Sequence, residues 1–385
     1  MVDQKIYLDF NASTPIAFEV AEAMMPFLTQ HFGNPSSLHW AGVPAKEAVE
    51  NARKQAADFL HCDPGEVVFT SGGSESNNHA IKGVFFAQKE KRNHIITTQV
   101  EHPAVINPCR FLEKLGATVT FVGVDQHGRV NPEEIEKAVT AKTILITVMH
   151  ANNEVGTIQP IEEISKVAKK HGILFHTDAA QSAGKIDTDV DKLGVDLLSV
   201  AGHKLYAPKG VGVLYIREGT PVEPLIHGAS HESRRRAGTE NVLLVVGLGK
   251  ACEIAKRYLS DNKLRKLRDH FWNLLQENFG KAVVLNGHPV HRLPNTLNVS
   301  FVGKAGAEIL SRMDGVAAST GAACHSGSVE LSPVLKAMGI SPEVGMGAIR
   351  FSLGRATTIE EVEKVVQLLK NTLPLSKPMG GQESG

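Results

Sequence analysis

"TILITVMHANNEVGTIQPIEEISKVAKKHGILFHTDAAQ", residues 143–181, begins and ends with an apolar run. The first run is 143–150 and the second, "ILFHTDA", is 173–179. Neither alternates cleanly between apolar and polar, so each reads as a strand buried on both faces. Between them Ile161, Ile164, Val167 and Ala168 fall on one helical face, and Gly172 supplies the stop. Strand, helix, strand with a crossover of this length is the unit of a parallel sheet.

Working outward, the same texture recurs at "EVVFT" (66–70), "HIITTQV" (94–100), "TVTFVGV" (118–124), "DLLSVAG" (196–202) and "GVGVLYI" (210–216). Seven such runs predict an α/β fold with a mostly parallel seven-stranded sheet sandwiched by helices. A helix is predicted over 45–60, from Ala45, Val49, Ala52, Ala56, Phe59 and Leu60. The N-terminal "IYLDF" alternates Ile6, Leu8 and Phe10 and reads as a strand. From about 250 a long charged helix (250–279), "TLNVSFV" (296–302), "IRFSLG" (349–354) and a last helix (358–372) predict a smaller α+β domain. The expected organisation is a large domain over 15–260, a small domain from 1–14 and 261–375, and a disordered tail over 376–385.

Totals exclude several function classes. Lys+Arg and Asp+Glu both number 41, so no global charge draws the chain to nucleic acid or an anionic membrane. The N-terminus lacks the basic start and apolar run of a signal peptide. No stretch approaches the roughly 20 apolar residues of a membrane span. Cys62, Cys109, Cys252 and Cys324 are far apart and form no CxxC, so neither a disulfide framework nor a metal site is expected. A reducing cytoplasm is the expected location.

Five strand ends carry residues suited to chemistry. Lys204, in "SVAGHKLYAPKGVG" (199–212), suits a Schiff base, which needs an easily deprotonated amine; a surface lysine is the plain alternative. Asp178 in "HTDAAQ" can pair with a protonated ring nitrogen or simply cap a helix. Gln181 can reach a phenolic oxygen or complete a capping box. "TSGGSES" (70–76) joins a strand to a helix, either as a phosphate cradle or as an ordinary turn. His102 in "EHPAV" can stack on a ring and move protons, and Asn153 in "ANNEVG" can hydrogen-bond a cofactor; both also suit plain loops. Cys324 stands apart, in the small-residue run "ASTGAACHSGSVELSP" (317–332), which reads as a mobile loop carrying a thiol. Open α/β sheets bind ligands at the carboxyl ends of their strands, and the 70–76 loop, His102, Asn153, Asp178 and Lys204 fall at such ends in that chain order.

The motifs "GNPSSLH", "TSGGSESNN", "EHPAV", "ANNEVG", "HTDAAQ", "AGHKLYAPKG", "RRRAGTEN", "TGAACHSG" and "IRFSLGR" together resemble cysteine desulfurases of the NifS/IscS type. These are fold type I pyridoxal 5′-phosphate (PLP) enzymes, class V aminotransferase-like and close to selenocysteine lyases. The resemblance runs from "IYLDFNASTP" to about residue 372. It implies that Lys204 carries PLP, Asp178 keeps its pyridine nitrogen protonated, and His102 stacks on the ring. It implies that Asn153 and Gln181 contact the cofactor and that Gly73, Ser74 and His203 bind its phosphate. Thr239 would come from the partner of a homodimer. Asn34 and Arg350 would hold the substrate carboxylate, and Cys324 would accept sulfur from L-cysteine or selenium from L-selenocysteine.

Three positions depart from the family pattern. Ala201 stands where a phosphate-binding serine is usual, His231 replaces a glutamine, and His325 follows the cysteine where threonine is common. The leading expectation is a desulfurase that yields L-alanine and a Cys324 persulfide. That sulfur would supply iron–sulfur or thio-cofactor assembly, through an acceptor or scaffold protein. The alternatives are a selenocysteine lyase, a class V aminotransferase with no use for the thiol, and a non-catalytic sulfur-relay scaffold.

Overall fold

The computed structural model describes residues 5–320, 322–325 and 328–373, the backbone alone at 322–325 and 328–329. The expected tail therefore lies outside the described residues. The chain divides into two units. One comprises 11–261 and 287–294; the other gathers the described residues of 1–10, 262–286 and 295–385.

The described chain begins with β1 (Ile6–Tyr7), α1 (Phe18–Thr29) and α2 (Gly42–Leu60). Seven strands follow: β2 (Val67–Thr70), β3 (His94–Thr98), β4 (Thr118–Val122), β5 (Thr143–Thr147), β6 (Leu174–Asp178), β7 (Leu197–Ala201) and β8 (Gly212–Ile216). Between them lie α3 (Gly73–Gln88), α4 (Pro103–Glu113), α5 (Pro132–Lys137), α6 (Ile161–His171) and α7 (Val190–Leu193), and α8 (Val242–Ala255) comes after. These strands form one sheet in the order β2-β8-β7-β6-β5-β3-β4. The pairs among β3 to β7 are parallel, while β8 runs antiparallel to both β2 and β7. It follows that β2 points the same way as β7, so the ends of β2, β3, β5, β6 and β7 share one edge of the sheet.

Burial on both faces explains the unbroken apolar runs. Val67, Phe69, Val213 and Tyr215 pack into one core layer, and Val68 and Leu214 into the other. Helix α6 matches its predicted span. Glu162 and Glu163 occupy its first turn, Lys169 and Lys170 its last, and Gly172 takes the left-handed C-cap at φ 60°. Helices α2 and α8 approach closely through Gly249, where a Cβ would come within 2.6 Å of Ala52 Cα.

The second unit holds β1, α9 (Lys263–Phe279), β9 (Val283–Asn286), β10 (Thr296–Phe301), α10 (Gly306–Ser311), β11 (Val316–Ala317) and β12 (Ser319–Thr320). It continues through β13 (Ala322–His325), β14 (Ser328–Leu331), α11 (Pro333–Ala337), α12 (Pro342–Gly345), β15 (Ala348–Ser352) and α13 (Ile359–Thr372). Its main sheet is antiparallel, in the order β12-β15-β10-β9. Phe271, Leu275, Val299, Phe351 and Val365 anchor its core.

The long helix expected over 250–279 is instead two. Helix α8 starts earlier, at Val242, and the chain leaves helical geometry before α9 begins at Lys263. The polar run Ser260, Asp261, Asn262 separates them, and such short polar side chains compete for backbone hydrogen bonds within a helix.

Candidate active site

Strand β7 ends at Ala201, and Lys204 closes the single tight turn that follows. Its Nζ donates to the main-chain oxygens of Asn11 and Ala12, at 2.5 and 2.7 Å. Asn11 is buried and acts as a hub. Its carbonyl also accepts from Gln181 Nε2 at 3.0 Å, and its own Nδ2 donates to the Asn153 carbonyl at 3.3 Å. Lys185 Nζ donates to Gln181 Oε1 at 2.9 Å and Asn11 Oδ1 at 3.2 Å. Thr14 docks the same segment on the lysine turn, donating its N–H to the His203 carbonyl at 2.9 Å and accepting from Tyr206 N at 2.9 Å. The structure thus brings Lys204, Gln181 and Asn153 to one segment that the sequence reading gave no role.

Asp178 is buried at the end of β6. Its Oδ1 accepts from Ala180 N at 2.9 Å and its Oδ2 from Asn77 Nδ2 at 2.6 Å. No helix starts there, so neither Asp178 nor Gln181 is a helix cap. His102 is the N-cap of α4, and its Nδ1 accepts from Ala104 N at 3.0 Å. A neutral His102 therefore carries its proton on Nε2. One side of the residue meets solvent; burial of the rest lowers the pKa below the ordinary histidine range. The Asp178 charge pulls that value up and the Lys204 charge pushes it down. His102, Asp178 and Lys204 therefore share one electrostatic neighbourhood.

Beside His102, Glu101 is fully buried. Burial pushes its carboxyl up to about 8, and the Asp178 charge adds to the rise. It accepts from Thr98 Oγ1 at 2.7 Å and from Met149 N at 3.0 Å.

The turn after β2 leads into α3 through Gly72 at φ 144°, a conformation that favours glycine. At Gly73 a Cβ would stand 3.2 Å from Ala201 Cβ, so glycine keeps this hollow open at the helix N-terminus. Ser74 in the first turn is exposed. Ser76 Oγ ties the turn to Thr70 Oγ1 at 2.8 Å and to the Val213 carbonyl at 3.1 Å. His203 is half-buried; burial first, then Lys204 and Lys209, lower its pKa to about 4, so it is neutral near pH 7. A flat ring with a phosphate fits this set: an anion seat at a helix start, a carboxylate on one strand end and an amine on the next.

Asn34 and Thr239 are not part of the Lys204 network. Both line an open cleft of about 790 Å³ with Arg53, His231 and Glu232. The loop carrying Thr239 holds Glu232, Ser233 and Arg234 at φ 47°, 55° and 68°, a strained run for non-glycine residues. Glu232 is buried and pins the loop, accepting from Arg53 Nη1 and Nη2 at 2.8 Å each and from Phe69 N at 2.9 Å. His231 Nδ1 accepts from Gly238 N at 3.2 Å, which gives that departure a local role.

In the other unit, Arg350 sits mid-strand in β15, opposite Asn298 and Ser319. Its Nη2 donates to Asp9 Oδ1 at 2.6 Å and Ser319 Oγ at 3.0 Å. The Cys324 backbone lies in β13, opposite Val329 of β14, an extended segment where the sequence suggested a loop. The Cys324 and His325 side chains lie outside the described atoms. Burial pushes the thiols of Cys62, Cys109 and Cys252 up to about 12, which makes them poor nucleophiles near pH 7.

Sequence reasoning missed Asn11, Asn77, Glu101, Lys185 and Glu232. The first three lay inside quoted stretches, Asn77 within α3. Most of their partners stand far away in sequence: Asn153 and Lys204 for Asn11, Asp178 for Asn77, Met149 for Glu101 and Arg53 for Glu232. Among the described residues no group of histidine, cysteine and carboxylate side chains is arranged to hold a metal ion, and no helix is long and apolar enough to cross a membrane.

A family model described as "Aminotransferase class-V" matches residues 6–365. The chain is 50% identical over 374 residues to a protein of Dictyoglomus turgidum named "Cysteine desulfurase IscS", covering 96% of this chain and 95% of that one. It is similar to a solved structure titled "NIFS-LIKE PROTEIN", at TM-score 0.90 and 38% identity, over 96% of this chain and 99% of the other. It is also similar to "SspA in complex with cysteine", at TM-score 0.82 and 40% identity, over 90% and 98%.

Proposed function

Because the chain belongs to the class-V aminotransferase family, alongside its cysteine desulfurases, we propose that it is a PLP-dependent cysteine desulfurase. It converts L-cysteine to L-alanine and leaves the sulfur as a persulfide on Cys324. The names of its relatives do not favour the selenocysteine lyase alternative. One observation carries the reading: His102, Asp178 and Lys204 share an electrostatic neighbourhood at the carboxyl ends of β3, β6 and β7. An amine, a ring-nitrogen partner and a proton carrier meet there, which PLP chemistry requires.

Lys204 would carry the cofactor, with Asp178 under its pyridine nitrogen and His102 on its face. Gly73, Ser74 and His203 would seat the phosphate, with Thr239 supplied by a second copy. Asn153 and Gln181 would contact the ring. PLP, when bound, supplies the electron sink that weakens the substrate Cβ–S bond. The protein's share is orientation. Two N–H donors fix the Asp178 carboxylate, and Ala104 fixes the His102 tautomer so that Nε2 holds the proton. Arg350 and Asn34 anchor the substrate carboxylate; a planar guanidinium suits that task. The Cys324 thiolate then bonds to the substrate sulfur. The Cβ–S bond breaks with its electron pair left on carbon, and a proton completes alanine.

A homodimer is supported by exposed apolar side chains between residues 16 and 40, including Leu38 at 87% and Trp40 at 81% exposure. The free thiols Cys62, Cys109 and Cys252 support a reducing compartment such as the cytoplasm. The persulfide sulfur goes to an acceptor in iron–sulfur or thio-cofactor assembly.

The test compares wild type, Lys204→Ala and Cys324→Ala for alanine formation from L-cysteine with a reductant. Both substitutions are expected to abolish desulfuration. Full activity in Cys324→Ala would remove the persulfide step, and transamination alone would return the chain to an aminotransferase.

A further inference from the structure

Arg350 has a companion whose place in the chain gave no hint of it. Asp9 lies in the N-terminal segment, 341 residues away. Its Oδ1 accepts from Arg350 Nη2 at 2.6 Å and from Ser319 Oγ at 2.8 Å, and Ser319 Oγ accepts from Arg350 Nη2 at 3.0 Å. Each of the three side chains is thus bonded to the other two. The guanidinium is 11% exposed and the carboxylate 19%, so solvent screens the pair weakly.

Backbone contacts hold Asp9 in place from both sides. Leu8 N donates to the Ala317 carbonyl at 2.8 Å, Ser352 N to the Leu8 carbonyl at 2.8 Å, and Phe10 N to the Ser352 carbonyl at 3.3 Å. Asp9 also forms a parallel bridge with Ser352, two residues beyond Arg350. The carboxylate therefore stands on main chain that an isolated bridge ties to the end of β15, so its position follows that of the strand. Tyr7 borders the same corner. Burial raises its phenol pKa, and the Asp9 and Arg350 charges act on it in opposite directions.

We propose that Asp9 is a positioning residue for substrate recognition: with Ser319 it fixes the rotamer and plane of Arg350, so that the guanidinium is pre-set for the substrate carboxylate. The inference rests on the reading of Arg350 as the carboxylate anchor. Asp9 acts on that anchor in two opposed ways. It orders the guanidinium, which favours a bidentate pair, and it offsets part of the positive charge, which weakens attraction for any anion. Positioning predicts that losing Asp9 weakens binding of L-cysteine. Charge alone predicts the reverse.

The experiment measures KM and kcat of the PLP-loaded enzyme for L-cysteine in Asp9→Asn, Asp9→Glu, Ser319→Ala and Arg350→Lys, with the thermal midpoint of each. The expected result is a KM about tenfold higher in Asp9→Asn, the size of one lost charge-assisted contact, with kcat within about twofold. Ser319→Ala shifts KM the same way by less, and Asp9→Glu recovers part of the loss. A KM unchanged or lowered in Asp9→Asn, with Arg350→Lys raising it, overturns the positioning role and leaves the anchor. An unchanged KM in Arg350→Lys overturns the anchor reading and the inference with it. Should Asp9→Asn fail to fold, Ser319→Ala decides: an unchanged KM there overturns the proposal.

Discussion

Around Lys204 the proposed reactive groups stand at or just past the ends of strands, and main-chain atoms hold most of them, with the Asn77 side chain also on Asp178. Asn11 offers its carbonyl to Lys204 and Gln181, Ala104 N fixes His102, and Ala180 N fixes Asp178. The proposed anchor, Arg350, stands in the middle of a strand, and side chains hold it. A turn faces a ligand while its backbone stays anchored in the sheet, so its side chains need little further support. A cation inside a sheet needs a counter-charge, and Asp9 provides it. The proposed catalytic groups at strand ends are therefore readable as local motifs, whereas the proposed anchor inside a sheet depends on residues remote in sequence.

The largest effect should come from the turns. Lys204→Ala is expected to lower alanine formation by a factor of a thousand or more on the order of magnitude of a lost covalent catalyst, and to remove the visible absorbance band of PLP-loaded protein. A variant that kept the band would break the turn-based account. Next, His102→Gln should slow turnover by roughly a hundredfold to ten-thousandfold, the range for a positioned proton carrier. If His102 governs the acid limb of the wild-type pH profile, that limb should lie below the ordinary histidine range, because burial lowers its pKa.

These turns were legible because each carries its distinctive residue beside a recognisable strand. Lys204 and His102 follow predicted strands and Asp178 lies near the end of one, and the sheet topology brings these strand ends to one edge. Glu101 was not legible. It sits next to His102 in sequence, yet its state depends on Thr98 and Met149 and on complete burial. Asp9 was invisible for a stronger reason, since its partners come from β12 and β15. The break between α8 and α9 was missed because helical periodicity on both sides masked three short polar residues. Asn34 and Thr239 were assigned by resemblance, and the cleft they share is formed by a strained loop that no periodicity announces.

Glu101 offers a sharper comparison within the turn cluster. Its carboxyl is raised from an ordinary 4.5 to about 8 in the folded protein. Between those values the folded state keeps a proton that the unfolded state releases, so stability falls as pH rises through the window. Wild type should lose on the order of 3 kcal/mol relative to Glu101→Gln between about pH 5 and about pH 8, read from denaturation midpoints. A pH-independent difference would show that Glu101 does not titrate in that window. The smallest expected effect is at the proposed phosphate seat. Ala201→Ser restores one hydroxyl beside Gly73 and should tighten PLP binding by up to about tenfold, one hydrogen bond's worth, in a titration of apoprotein. No change there would place the anion away from Ala201.

The most direct test of the central claim is mass mapping of the protein after brief exposure to L-cysteine, with alanine quantified in the same sample. One added sulfur atom is expected on the Cys324 peptide, matched by alanine in the first turnover, with Cys62, Cys109 and Cys252 unmodified, since burial pushes their thiols up to about 12. Alanine accumulating while Cys324 stays unmodified, with the sulfur on another cysteine or released directly, would contradict it.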